Sequence, residues 1–254
     1  MLETAIAAAR AAGQLLRERF AHPHDIRSKG LRDLVTEADL LAQQIIVDTI
    51  RARFPAHQIL SEEAPAAEGE DIECQWFVDP LDGTTNYARG IPFFSVSIGV
   101  VSQGELTVGV VYEPLGDRLF QTVRGEGAWL NGQRLQVSDR TVLLEALLDL
   151  GWARSQPARL ACLQAAKALG PYIGSARTLG SAALGLAAVA AGWEDVYYHP
   201  ELAPWDVAAG ILLVLEARGR VSAPDGRPWS LFGRGFLASN GPLHAQVLER
   251  LSGM

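Results

Sequence analysis

Cysteine is nearly missing from this 254-residue chain. The two present, Cys74 and Cys162, lie far apart and outside any C-x-x-C pair. That argues against a disulfide framework and a zinc ribbon, and makes a reducing compartment the default. Histidine is scarce too: His22, His24, His57 and His244 fall in loops or at helix ends, with no metal-ligand spacing. Long hydrophobic runs are absent. The most apolar stretch, Ala182 to Ala191, is about half the length a bilayer-spanning helix needs. The first twenty residues carry Glu3, Arg10, Arg17, Glu18 and Arg19 without an uninterrupted apolar core, unlike a signal peptide. A cytoplasmic protein with no membrane partner is therefore expected. Positive charge is also in deficit, 22 Lys and Arg against 29 Asp and Glu, for a net charge of −7. No nucleic-acid surface built on bulk charge is expected. An acidic chain that handled an anion would need local positive charge, and bound cations are its simplest source. The phosphate loop G-x-x-x-x-G-K-[ST], the nucleophile elbow G-x-S-x-G and any Ser/His/Asp ordering are missing as well.

What is there reads as a folded globular protein, 48% apolar and 20% charged. The length allows one large domain or two small ones sharing a cleft. Apolar positions at helical spacing predict a helix over 3–20, closed by His22-Pro23. A polar loop follows from Asp25 to Arg32, holding Lys29. A second helix is expected over 36–53, with Thr36 as N-cap, Asp39 three residues on, and Leu40, Leu41, Ile45, Ile46 and Ile50 as its apolar stripe. Gln58 to Ser61 reads as a short strand, and Ala64 to Glu73 as an acidic surface loop. Strand-like runs at 93–101, 105–112, 118–123 and 127–129 are joined by the turn signals Gln103-Gly104 and Asn131-Gly132. The second half alternates strand and helix: strands at 143–149, 172–173 and 194–198, and helices at 157–169, 182–191 and 204–217. The expected class is an α+β N-terminal part, residues 1–139, with an α/β C-terminal part, residues 140–254.

One stretch organises the rest: Val78-Asp79-Pro80-Leu81-Asp82-Gly83-Thr84-Thr85-Asn86. Gln75 to Val78 is bulky and apolar enough for a buried strand. Pro80 and Gly83 are expected to stop it and bend the chain. Asp79 and Asp82 sit where the backbone turns, so both can point at one spot. A helix starting at Gly83-Thr84 would offer free N–H groups to an anion. D-P-x-D-G is also ordinary turn chemistry, so the remaining carboxylates decide its meaning. Glu62 ends a predicted strand, Asp206 follows Trp205 at a helix start, and Asp39 sits on a mostly apolar stripe that implies a polar partner. Each alone has a plain structural reading, Asp206 as a first-turn carboxylate and Lys29 as a surface lysine. As a set they are oxygen donors of the kind Mg²⁺ prefers.

These residues carry a resemblance. Asp33-Leu34-Val35-Thr36-Glu37-Ala38-Asp39, the Val78–Asn86 stretch and Pro204-Trp205-Asp206-Val207-Ala208-Ala209-Gly210 are similar, in order and spacing, to the motifs of the inositol monophosphatase family. That is a family of metal-dependent, lithium-sensitive phosphatases. Ile59 to Glu63 and Asn131-Gly132-Gln133 also fit it. The resemblance implies a layered α-β-α-β-α sandwich of the sugar-phosphatase type and a homodimer with Arg177 near its interface. It implies two to three Mg²⁺ per site. Glu62, Asp79, Asp82, Asp206 and the Leu81 carbonyl would be ligands, and Gly83 and Thr84 would hold phosphate by backbone N–H. Thr84 would act with Asp39 on the attacking water, as catalytic residues alongside Glu62 and Asp82, and Lys29 would lie close by. Gly180, Ser181 and Ala182 fall where the family shapes its substrate pocket, which Asp82 and Asp206 also border. The implied reaction is hydrolysis of inositol monophosphate or a similar polyol phosphate by in-line attack of a metal-activated water.

One position departs from the pattern. Seven residues before the last motif Asp, where the family has a Glu that contacts substrate hydroxyls, this chain has His199. Either Glu201 takes over that contact through a changed loop or His199 is a bystander. Fructose-1,6-bisphosphatase and histidinol-phosphate phosphatase activities of the same fold stay open. So does a regulatory protein that binds the transcription machinery.

Overall fold

Alanine dominates the buried face of the first helix, α1 (Leu2–Arg19): Ala5, Ala8, Ala9 and Ala12 are fully covered, with Leu16. The computed structural model describes residues 1–20, 22, 26–30, 33–68 and 71–253, with backbone alone for 26–30, 33–35, 65–68 and 71. After α1, β1 (Ile26–Gly30) and β2 (Asp33–Thr36) pair as a small antiparallel ribbon where a loop was expected. Main-chain pairing needs no apolar side chains, so a polar sequence hides such a ribbon. Helix α2 (Glu37–Arg53) starts at the expected cap. The Thr36 hydroxyl accepts from the Ala38 N–H, and the Asp39 carboxylate accepts from the Thr36 N–H. This cap turns Asp39 inward, and the buried stripe becomes Ala38, Ala42, Ile46 and Ile50, with Leu40 and Leu41 left exposed.

The main sheet then builds up in order: β3 (His57–Ser61), β4 (Ala64–Glu68), β5 (Asp71–Asp82), helix α3 (Thr84–Ala88), β6 (Ser95–Ser102), β7 (Glu105–Glu113), β8 (Arg118–Val123), β9 (Gly127–Leu130) and β10 (Gln133–Arg134). Its spatial order is β10-β9-β8-β7-β6-β5-β3-β4. All neighbours are antiparallel except β3 with β5. The Ala64–Glu73 stretch, expected as a loop, supplies the edge strand β4 and the start of β5. An edge strand is covered on one side only, so acidic and small residues are tolerated there. Pro80 does not end β5; the ladder with β6 shifts between Asp79 and Asp82 instead, which kinks the strand at the two carboxylates.

A 3₁₀ turn (Leu143–Glu145) leads into the second sheet: β11 (Leu147–Leu150), helix α4 (Gln156–Leu169), β12 (Ser175–Arg177), helix α5 (Ala182–Ala190), β13 (Val196–His199), helix α6 (Pro204–Glu216), β14 (Arg220–Ser222), β15 (Phe236–Ser239) and helix α7 (His244–Leu251). The sheet order is β12-β11-β13-β15-β14. Ile173 is not in a strand; it packs beside Leu169 at the end of α4, and β12 follows it. No element was expected beyond residue 217, where β14, β15 and α7 lie.

Alternation within the second sheet separates two cores. Tyr197, Phe236 and Ala238 face α5 and α6, whereas Val196, Tyr198 and Leu237 face α4 and α7. Helices α1 and α2 cover the opposite face of the main sheet. The layers therefore run α-β-α-β-α. Helix α6 lies directly on the main sheet: a Cβ at Gly99 would sit 2.5 Å from that of Ala208, and one at Gly109 2.8 Å from the Ala209 carbonyl. Glycine on β6 and β7 brings the helix backbone this close, and fixes where its first turn, with Asp206, points.

Candidate active site

The ends of several strands and helices converge at one point. Strands β3 and β5 finish side by side, and helices α2, α3, α5 and α6 all begin nearby. Their first residues line or underlie a cavity of about 810 Å³. At its floor, one carboxylate oxygen each from Glu62, Asp79 and Asp206 lies within 4.8 Å of the other two. Asp79 is 2% exposed. Burial, then the charges of Glu62, Asp82 and Asp206, push its carboxyl well above the usual range. Asp206 is pushed up to about 8, first by burial and then by Glu62, against one bond from the Ala203 N–H at 2.8 Å. Three acids held together against their own repulsion mark a place for positive charge. Arg154 supplies some of it, its Nη2 standing 3.2 Å from Glu62 Oε1.

Asp82 lies beside this trio with both oxygens engaged. Oδ1 accepts from the Ala182 N–H at 2.9 Å; Oδ2 accepts from the Ala183 N–H at 3.0 Å, the Ser95 hydroxyl at 3.1 Å and the Ser181 hydroxyl. The N-terminus of α5 thus grips Asp82, and these bonds oppose the upward pull of burial on its carboxyl. Ser181 and Ala182, expected in the pocket, line it while holding Asp82. Ser95 was not foreseen, although it faces Asp82 directly across the ladder.

Asp39 and Thr84 meet as expected. Asp39 Oδ2 takes the Thr36 N–H at 2.8 Å and the Thr36 hydroxyl at 2.6 Å, and Oδ1 stands 3.1 Å from Thr84 Oγ1. Thr84 Oγ1 is also 3.0 Å from the Leu81 carbonyl. The hydroxyl thus gives its proton to one of two buried acceptors and keeps its lone pairs for the cavity. Gly83, at φ +93°, is the left-handed residue that lets the chain leave β5 and enter α3. Asn86 closes the motif. Its amide donates to the Phe93 carbonyl at 2.8 Å and the Leu179 carbonyl at 2.9 Å, tying α3 to the loop that carries Gly180.

His199 lines the cavity wall, 5% exposed. Burial and the Arg154 charge pull its pKa down to about 3, so the ring is neutral. Its Nδ1 accepts from the Glu201 N–H at 3.2 Å. A Cβ at Gly151 would lie 1.7 Å from the ring, so glycine makes the space for it. Glu201 also lines the cavity and accepts from the Ser155 hydroxyl. Trp152, Arg154 and Arg159, which sequence reasoning passed over, form the neighbouring wall. The one available signal was a Trp-Ala-Arg triplet just past the end of a core strand. The Lys29 side chain lies outside the described residues.

Known proteins are similar to the chain over nearly its whole length. Residues 1–253 match the family model described as the inositol monophosphatase family. The chain is 40% identical over 257 residues to inositol monophosphatase 3 of Solanum lycopersicum, covering 99% of this chain and 96% of that one. It is 43% identical over 225 residues to the Nus factor SuhB of Escherichia coli strain K12, covering 87% and 84%. The solved IMPase of Thermotoga maritima superposes with a TM-score of 0.91 at 35% identity, over 99% of this chain and 96% of that one.

Proposed function

This chain belongs to the inositol monophosphatase family, and from that premise we propose that it is a Mg²⁺-dependent phosphomonoesterase acting on inositol monophosphate or a similar polyol phosphate. The observation that carries the reading is the mutual approach of Glu62, Asp79 and Asp206 within 4.8 Å beneath an accessible cavity. The donor set fits a hard cation: all oxygen, at least half-buried, and with the carboxyls of Asp79 and Asp206 raised by burial first and by neighbouring carboxylate charge second. Glu62, Asp79 and Asp206 would hold the metal, with Asp82 and the Leu81 carbonyl completing the oxygen set. Bound there, Mg²⁺ supplies charge neutralisation for the ester and acidity for water.

The chain's own groups do the rest. Thr84 Oγ1 presents a lone pair that orients an incoming water and, as its own proton passes to Asp39, receives the proton of that water. Asp39 is the terminal acceptor of that relay, held in one rotamer by the two bonds from Thr36. Backbone N–H groups of Gly83 and Thr84 hold the phosphate. The Asn86 bonds keep the Gly180–Ala182 loop, and through it Asp82, in register with α3. No nucleophilic side chain is needed, since water attacks directly.

The test is phosphate release with Mg²⁺ from inositol 1-phosphate, fructose 1,6-bisphosphate, histidinol phosphate and glycerol 2-phosphate at equal concentration. Release that vanishes with chelator and in Asp79→Asn supports the reading. Lithium is expected to inhibit, and sedimentation is expected to give a homodimer. A second reading is favoured by the Escherichia coli relative, which is named a Nus factor: the chain would act by binding the transcription machinery. Binding retained in a phosphatase-dead Asp79→Asn chain would establish that role separately.

A further inference from the structure

We propose that the cavity wall formed by Arg154, Arg159 and His199 is a subsite for a second phosphate, so that the preferred ester is one whose alcohol part is itself phosphorylated. This rests on the phosphatase reading and names its substrate class. The cavity separates its charges: Asp79 and Asp82 are buried at the floor with Glu62 and Asp206 half-buried beside them, and three arginines, Arg89, Arg154 and Arg159, line it further out. Arg159 is pinned twice. Its Nε donates to the Ala153 carbonyl at 2.8 Å, and its guanidinium carbon lies 5.0 Å from the centre of the Trp152 ring. Those contacts fix the plane of the guanidinium and leave its two terminal nitrogens without a protein partner among the described residues. A fixed, half-buried fork with unused N–H groups is suited to bidentate binding of a phosphate.

His199 adds a donor. Because Nδ1 accepts the Glu201 N–H, the proton of the neutral ring sits on Nε2. Beside it, Glu201 spends one of its carboxylate oxygens on the Ser155 hydroxyl. Arg154 places its charge at the edge of the floor, 3.2 Å from Glu62, with more than half of its side chain still accessible. The wall therefore offers two guanidinium groups and a ring N–H to the part of the substrate that does not react. That part is matched when it carries an oxyanion. At about 810 Å³ the cavity has room for a second phosphate.

The test compares substrates that differ only in that group, fructose 1,6-bisphosphate and fructose 1-phosphate, with Mg²⁺, as the ratio of their kcat/KM values. The ratio is expected to be about tenfold or more, one charge-assisted contact being enough for that. In Arg159→Gln it is expected to fall most of the way to one, with Arg159→Lys in between. Thermal midpoints matching the wild type check that the variants fold. A wild-type ratio near one overturns the subsite, as does a ratio unmoved by Arg159→Gln; in both cases release from fructose 1-phosphate leaves the phosphatase reading standing. No release from either sugar or from inositol 1-phosphate overturns both.

Discussion

Two groups of buried acids invite comparison. Glu62, Asp79 and Asp206 gather where strands end and helices begin, under a cavity. Asp149 and Glu194 are buried like Asp79, 1% and 5% exposed against its 2%, between β11, β13 and α5. Burial lifts the carboxyl of Asp149 to about 7, and burial with the Asp149 charge lifts that of Glu194 to about 8. Asp149 Oδ1 and Glu194 Oε2 even lack hydrogen-bond partners among the described residues. By electrostatics alone the two groups look alike. They differ in convergence and access: three oxygens meet at the first, and neither Asp149 nor Glu194 lines the cavity. A raised carboxyl records the cost of burial; convergent oxygens on an open cavity indicate what that cost is for.

The sharpest way to break this comparison is to neutralise one acid on each side. Asp79→Asn is expected to lower phosphate release by about 10³-fold or more, the several kcal/mol of charge stabilisation a metal contributes at tenfold per 1.36 kcal/mol. Asp149→Asn is expected to stay within about threefold of wild type, since Asp149 does not line the cavity. Comparable losses in both would erase the distinction. Next in size, Thr84→Val is expected to cost about 10²–10⁴ in kcat, the range for a general base, while Thr84→Ser keeps the hydroxyl and most of the rate. Equal losses in the two variants would count against the relay to Asp39.

A smaller effect concerns metal and stability. Mg²⁺ at about 100 times its dissociation constant should stabilise the folded chain by about 2.7 kcal/mol. A thermal scan should show that gain in wild type and Glu194→Gln and lose it in Asp206→Asn. The smallest effect is in the pH dependence without metal. Asp206, at about 8 when folded against roughly 3.9 unfolded, binds more protons in the folded state between those values. Stability therefore falls as pH rises from about 4 to about 8, and Asp149 and Glu194 add slope of the same sign. His199, held at about 3, acts oppositely: its contribution is present above about 6.5 and lost as pH falls towards its folded value. Urea midpoints from pH 5.5 to 7.5 should fall, less steeply with saturating Mg²⁺ and less steeply in Glu194→Gln. A slope indifferent to Mg²⁺ would mean the cavity acids are not its source.

How much of this was legible in the sequence depended on distance along the chain. Asp79 to Asn86 is one contiguous turn, so its carboxylates and hydroxyls could be read directly. Thr36 and Asp39 announced a helix cap by their spacing, and the cap in turn aims Asp39 at Thr84. Asp206 needed the motif around it, since a first-turn acid is common. The alanine-rich edge strand β4 was hidden because backbone pairing leaves little trace in side chains. The role of Ser95 required knowing the β5–β6 register. Trp152, Arg154 and Arg159 were hidden most deeply. They gain meaning only when the second sheet is docked so that the end of β11 faces the end of β5, and the buried small-residue helices α5 and α6 that do this look like ordinary core.

The most direct measurement is phosphate release from inositol 1-phosphate by the wild-type chain, with Mg²⁺ and again with excess chelator, beside Asp79→Asn. The account predicts release with Mg²⁺, none with chelator and none above about a thousandth of the wild-type rate in the variant. Release that survives chelation, or an Asp79→Asn chain as active as wild type, would contradict it.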